Sequence, residues 1–254
     1  MALKFDGTND TGSVALDLSQ WSSATACYWV DLRSTATDII AEHSATAATN
    51  NGGFGFYTND GATNTVSIGV RGTGVGGRRF PFTVNSGWHH VAWRFSSSPF
   101  AVDAGFLDGI SQSLTAFGSG GGSAAFRNDT LYFGARGGST FYFDGGLADF
   151  MLFPGEYLSD AEIQEIARGM MPQRQPYLRA FASDNPFQPS NGSLIQRPIV
   201  WTGGGPAEMD HPSIIEYEPL VRGRFGPSAG GGSGFQSAWA RGANTVLVGG
   251  RLAA

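Results

Sequence analysis

The sequence predicts an all-β protein, an antiparallel two-sheet sandwich with one short helix, followed by an extended arm rich in proline and glycine. Three observations carry that expectation. Short runs of β-branched and aromatic residues, alternating with a period of two, recur through the first two thirds of the chain between Gly, Asp and Asn turns. The 38 glycines among 254 residues mark many turns, and the 19 phenylalanines supply bulky core side chains. One segment, Ser159 to Gly169, is written as a helix with both ends signalled.

The strands follow in order. Leu3 to Phe5 comes first, then Ser13 to Leu18, where Val14, Leu16 and Leu18 share a face. Cys27 to Leu32 carries Trp29 as an anchor, and Asp38 to Glu42 centres on Ile39 and Ile40. Gly53 to Thr58 and Thr65 to Arg71 form a hairpin around Asn59-Asp60-Gly61. Gly72 to Gly77 matches G-x-G-x-x-G, but no helix follows, so it is a strand connection and not a phosphate cradle. Arg78 and Arg79 are expected on a solvated loop.

Trp88 to Phe95 is the most β-like segment. Val91, Trp93 and Phe95 face one way; Trp88, His90, Ala92 and Arg94 face the other. The adjacent His89 and His90 therefore point to opposite sides and cannot share a metal. Ala101 to Gly109 resembles the strand that carries V-D-G in laminin-G-like domains, which implies a turn at Leu107-Asp108-Gly109 and a return strand from Ile110 to Phe117. Phe141 to Phe143 and Leu147 to Phe153 are expected to flank a tight turn at Asp144-Gly145-Gly146. Asp149 is the one charge in the second of these strands, so it needs a partner, a metal or an edge position.

The helix start is a capping box, Ser159 with Glu162, and Leu158 with Ile163 can staple it. Arg168 and Gly169 mark its end. Beyond Gly169 the character changes. Nine of the twelve prolines lie there, together with glycine clusters at 203–205 and 230–232. Such a segment cannot build its own core, yet it keeps Trp201, Phe225, Phe235, Trp239 and Leu247. We therefore divide the chain into a sandwich, residues 1–169, and an arm, residues 170–254. The arm's apolar side chains need the surface of the sandwich or of another chain.

Composition narrows the function. A net charge of −5 with a single lysine, Lys4, gives no basic patch for nucleic acid. Cys27 is the only cysteine, which excludes intrachain disulfides and cysteine-based zinc sites. No run approaches a membrane span. The N-terminal MALKFDG lacks the apolar core of a signal peptide, so synthesis in the cytoplasm is expected. No E-x-D-x-E carboxylate strand, serine elbow or zinc-ligand spacing is present. Glu216 and Glu218 form an acidic pair in the arm, and Asp160 with Glu162 is explained by the helix cap.

The closing pattern resembles a family. FYFDGGLADF followed by LSDAEI is how laminin-G-like, concanavalin-A-like jelly rolls end, and FDGTND (5–10), GWHHVAWRF (87–95) and LYFGARG (131–137) match as well. The resemblance implies a jelly-roll sandwich over the first two thirds of the chain. It also implies a structural calcium between the first and last strands, for which Asp6 and Asp149 are the positions. The run Asp210 to Ile215 is similar to the extension that follows such sandwiches in phage structural proteins. Together these lead to a non-enzymatic virion protein, a capsid decoration protein whose arm binds the major capsid protein or copies of itself. The alternative is a carbohydrate-binding module, for which Trp21, Tyr57, Phe80 and Tyr142 are aromatic candidates by type.

Overall fold

The structure is a computed structural model. It describes residues 2–47, 49–118, 121–170, 174 and 176–180, and the backbone of 200–202 and 207–209. In chain order the strands are β1 (Ala2–Asp6), β2 (Thr11–Asp17), β3 (Ser23–Leu32), β4 (Ile39–His43), β5 (Phe54–Thr58), β6 (Thr65–Arg71), β7 (Val75–Pro81) and β8 (Trp88–Ser97). After them come β9 (Phe100–Leu107), β10 (Ile110–Ser111), β11 (Thr115–Gly118), β12 (Asn128–Phe133) and β13 (Asp144–Pro154). The helix α1 (Asp160–Ala167) precedes β14 (Leu178–Ala180), β15 (Val200–Thr202) and β16 (Ala207–Met209).

Two antiparallel sheets form a sandwich. One runs β10-β9-β8-β3-β13-β1-β16, with β14 beside β13; the other runs β11-β7-β6-β5-β4-β12-β2-β15. Alternation decides what lies between them. Val91, Trp93 and Phe95 of β8 are fully buried against Tyr28, Phe54, Phe56, Phe80 and Phe150. The Trp93 indole N–H donates to the Tyr28 hydroxyl (3.2 Å), so the two polar tips among these rings meet each other.

The opposite face of β8 lies under α1. Ala92 joins Cys27, Phe106, Met151, Phe153, Leu158, Ile163 and Ile166 in a second apolar cluster. Arg94 fastens the helix start: its guanidinium meets Asp160 (2.8 Å) and the Leu158 carbonyl (3.2 Å) and covers the Phe106 ring. The helix ends are as written in the sequence. Ser159 Oγ accepts from the Glu162 N–H, and Glu162 accepts from the Ser159 N–H (2.7 Å). Gly169 sits at φ +75°, and Gly169 N–H to Ile166 O with Met170 N–H to Glu165 O completes a Schellman end. Ser159→Ala should cost about 1 kcal/mol and lower the thermal midpoint by about 2–4 °C; an unchanged midpoint in calorimetry would remove the cap from the account.

Four expectations need correction. Phe141 to Phe143 is no strand, and Asp144-Gly145-Gly146 is no turn: Asp144, Gly145 and Gly146 open β13, all three paired with β1 and the two glycines also with β3. Gly145 is required because a Cβ there would fall against the Asp31 carbonyl and the Phe143 ring. Arg78 and Arg79 lie in β7, over the rings of Phe100 and Phe117, and not on a loop. The return after Gly109 is not one strand: β10 pairs β9 in one sheet and β11 pairs β7 in the other, so residues 110–118 cross between sheets.

Segments beyond residue 169 also pair with the sandwich. β14 continues the line of β1 along β13, while β15 and β16 add to the outer edges of β2 and β1. Trp201 lies in β15, its backbone opposite Gly12. Phe225, Phe235, Trp239, Leu247, Glu216 and Glu218 lie outside the described residues.

Candidate functional site at one rim of the sandwich

Six loops gather at one end of the sandwich. They comprise residues 7–10, 33–38, 59–64, 82–87, 108–109 and 134–143. Backbone hydrogen bonds tie them together: Gly7 N–H to Phe143 O, Arg33 N–H to Asp144 O, Ile39 N–H to Phe141 O, Asn85 N–H to Leu32 O and Phe82 N–H to Asn64 O. Of the seven described non-glycine residues with left-handed φ, five stand here: Asn59, Asn64, Asn85, Asp108 and Phe141. Asn and Asp tolerate that region, but a bulky Phe at φ +53° is a genuine outlier. Backbone strain gathered at one end marks it as the place to look for binding.

The first constellation is a polar relay. His89 Nδ1 lies 2.7 Å from Asp108 Oδ2, and His89 Nε2 lies 3.0 Å from Ser86 Oγ. Asp108 Oδ1 accepts from the His90 backbone N–H (2.9 Å), which fixes the carboxylate. The edge of the His89 ring meets Phe82, with centroids 5.2 Å apart. Ser86 is exposed, and its hydroxyl also contacts the Thr83 carbonyl. A cleft of about 220 Å³ opens beside it, lined by Asn64, Pro81, Phe82, Thr83, Ser86, His89 and Leu107.

The second is a set of carboxylates. Asp6 and Asp144 are paired across β1 and β13. Asp10 lies behind Asp6: burial, and then the Asp6 charge, raise its pKa. Burial likewise raises that of Asp38, with the charge of Asp144 adding to it. Among the described residues, no group of three or more acids, histidines or cysteines is arranged to hold a metal. Asp6 and Asp149 do not meet. Asp149 is five residues along β13 from the partner of Asp6, roughly 15 Å at strand rise. Asp149 sits on a bulge at φ +44° and its carboxylate receives Arg179 Nη2 at 3.0 Å, so an arginine supplies the partner it needed. Asp6 Oδ1 accepts from the Thr8 N–H at 2.8 Å, which closes the turn after β1.

The third is an arginine between aromatics. Arg136 Nε donates to Glu42 Oε2 (3.1 Å), and its guanidinium covers Phe141 (4.7 Å to the ring centre) and Tyr57 (5.9 Å). Glu42 is fully buried, its other oxygen accepting from the Ala47 N–H (2.7 Å). Burial raises its pKa, against the pull of Arg136. Phe141 is 46% exposed, the most exposed aromatic among the described residues. The aromatics named by type fare differently: Phe80 and Tyr57 are buried, Tyr142 is half-buried, and half-buried Trp21 packs edge-on to Tyr177. None of the four is an exposed ring; Phe141 is.

A family model described as the concanavalin A-like lectin/glucanases superfamily matches residues 6–164. The chain belongs to this superfamily. The match covers the rim loops, β2 to β13 and the start of α1. Solved structures agree in fold. A heptameric SAP-like pentraxin from Limulus polyphemus superposes with a TM-score of 0.53 at 15% identity, covering 80% of this chain and 92% of that one. The receptor-binding domain of a botulinum neurotoxin of mosaic serotype C/D gives 0.51 at 13% identity, covering 66% of this chain and 42% of that one. No curated protein matches the sequence. The superfamily's name spans lectins and glucanases; the neurotoxin neighbour is by its title a receptor-binding domain.

Sequence reasoning placed His89 and His90 on opposite sides, as the structure has them, but missed the relay. The available signal was a Ser-x-x-His entering a strand whose antiparallel neighbour ends in Asp-Gly. Pairing Val91 with Leu107 then sets Asp108 opposite His90, one residue from His89.

Proposed function

We propose that this concanavalin A-like sandwich is a structural protein of a phage particle, a capsid decoration protein. Its segment beyond residue 169 holds neighbouring subunits, either the major capsid protein or further copies of the chain. Attachment of this kind is non-covalent and non-enzymatic. The observation that carries the reading is β15 and β16: short pieces of the arm add to the outer edges of both sheets by main-chain pairing. Here the edges belong to the chain's own sandwich; the same strand addition is a mode by which an extended segment grips a folded partner. The apolar anchors Phe225, Phe235, Trp239 and Leu247 follow downstream in sequence.

The test compares the full chain with a chain ending at residue 210, which keeps β14, β15 and β16. Co-sedimentation with capsids of the genome that encodes the protein should be strong for the full chain and lost for the shortened one. Equal co-sedimentation would remove residues 211–254 from the attachment, and no co-sedimentation of either would overturn the particle role.

One observation favours a second reading, a glycan-binding module. Phe141 is half exposed, held in left-handed backbone, with Arg136 packed beneath it. A sugar's apolar face stacks on such a ring. A glycan array with the wild type and Phe141→Ala, with and without chelator, separates the readings: affinity lost in Phe141→Ala supports the glycan site, and no affinity anywhere ends it.

A further inference from the structure

We propose that Ser86, His89 and Asp108 form a nucleophilic site that cleaves carboxylic esters of small acyl groups, an activity beyond the attachment role. The argument begins with proton positions. The Asp108 carboxylate accepts at Oδ1 from the His90 N–H and at Oδ2 from His89 Nδ1. An ionised carboxylate only accepts, so the proton of neutral His89 sits on Nδ1. Nε2 then presents its lone pair to Ser86 Oγ at 3.0 Å. Nucleophile to base and base to orienting acid are thus both at hydrogen-bond distance, which is the geometric test for an activated serine. The Ser86 hydroxyl has two acceptors within reach, the Thr83 carbonyl and His89 Nε2. Turning its proton from the first to the second is the activating step.

The setting also suits the chemistry. Ser86 stands between Asn85 at φ +60° and Gly87 at φ +92°, so the turn lifts its side chain clear of the strand that follows. The Oγ is exposed at a cleft of about 220 Å³, whose apolar wall of Pro81, Phe82 and Leu107 fits a short acyl chain. Asn64 also lines the cleft, a residue type whose amide can steady an acyl oxyanion.

In the step itself, Ser86 Oγ bonds to the acyl carbon as its proton passes to His89 Nε2. The acyl carbon–alkoxy oxygen bond then breaks, and His89 returns the proton to the departing alcohol. Water attacks the acyl-serine, giving its proton to His89 and releasing the carboxylic acid, and Ser86 regains its hydrogen. Ser86 and His89 are the catalytic residues; Asp108 is a positioning residue, holding the imidazole tautomer.

The experiment uses the full chain. A fluorophosphonate probe followed by peptide mass spectrometry should give one adduct, on Ser86. Hydrolysis of p-nitrophenyl acetate should exceed the buffer rate and fall by at least about 100-fold in Ser86→Ala and His89→Ala, the usual weight of general-base help. Asp108→Asn should slow Ser86 labelling and abolish the low-field Nδ1 proton resonance of His89. Labelling of the wild type needs no variant to fold, so the absence of an adduct on Ser86 would overturn the proposal. So would hydrolysis undiminished in Ser86→Ala. Either result would leave the three residues as turn-stabilising hydrogen bonds only. Particle attachment is untouched by these assays, so the two readings fail separately.

Discussion

Lowering the pH from 7 to 4 should destabilise the sandwich steeply, with the loss beginning near pH 6.5. Two buried histidines are the reason. His43 stacks on Phe54 with the Leu16 backbone as a polar neighbour, and His90 meets the Trp29 ring with no hydrogen-bond partner on either ring nitrogen. Burial pushes both from the ordinary 6.5 down to about 4. In the unfolded chain these imidazoles take up protons as the pH falls below about 6.5; in the folded chain they stay neutral until about pH 4. The unfolded state therefore binds more protons across that window, and stability is lost as the pH falls through it. A shift of this size is worth about 3 kcal/mol per histidine once complete. Asp10, Asp38 and Glu42 work the other way. Their raised pKa values mean they destabilise at neutral pH and cease to do so on protonation, which works against the loss. The histidines act from about pH 6.5 downward, and the carboxylates oppose them wherever they take up protons. Urea midpoints measured at pH 7.5, 6, 5 and 4 should fall, and His43→Leu with His90→Leu should make that fall smaller. A flat wild-type curve would contradict the burial of both rings.

Arg136→Ala should be the most damaging single change at the rim. It leaves the Glu42 carboxylate fully buried with its arginine gone and the Ala47 N–H as its backbone donor. Removing one member of a buried ion pair costs about 3–5 kcal/mol, because the other charge is stranded. The Phe141 and Tyr57 rings also lose the cation between them. Adding Glu42→Gln should recover more than half of that loss, since a neutral amide carries no charge to strand. A double-mutant cycle in urea measures both numbers, and a cost under about 1 kcal/mol for Arg136→Ala would mean that water reaches Glu42.

The parts of the fold legible in the sequence are those set by local rules. β8 was readable because alternation over Val91, Trp93 and Phe95 separates core from outer face. The ends of α1 were readable because Ser159, Glu162 and Gly169 act within one turn. What escaped depends on register between distant segments. Asp144-Gly145-Gly146 looks like a turn until β3 is laid against it and Asp31 needs the space. Residues 110–118 look like one return strand because nothing local says that the chain changes sheets. Glu42 and Arg136 are 94 residues apart and meet through the pairing of β4 with β12. The same holds for His89 and Asp108, which meet only once β8 is laid against β9. The strained Phe141 was hidden for another reason: its type suits a strand, and tertiary hydrogen bonding through Ile39 and Gly7 to its neighbourhood holds it otherwise.

The pairing of β15 with β2 and of β16 with β1 has a further consequence, for solubility. On the far flank the sheets finish in strands of two and four residues, too short to template another molecule. On the near flank β1 and β2 are five and seven residues long, and the arm lies along them. Stripping the arm back to residue 169 would bare two rows of unpaired amides and carbonyls, one per sheet. Molecules cut that far should join flank to flank into polymers and precipitate, whereas molecules ending at residue 210 should stay dispersed.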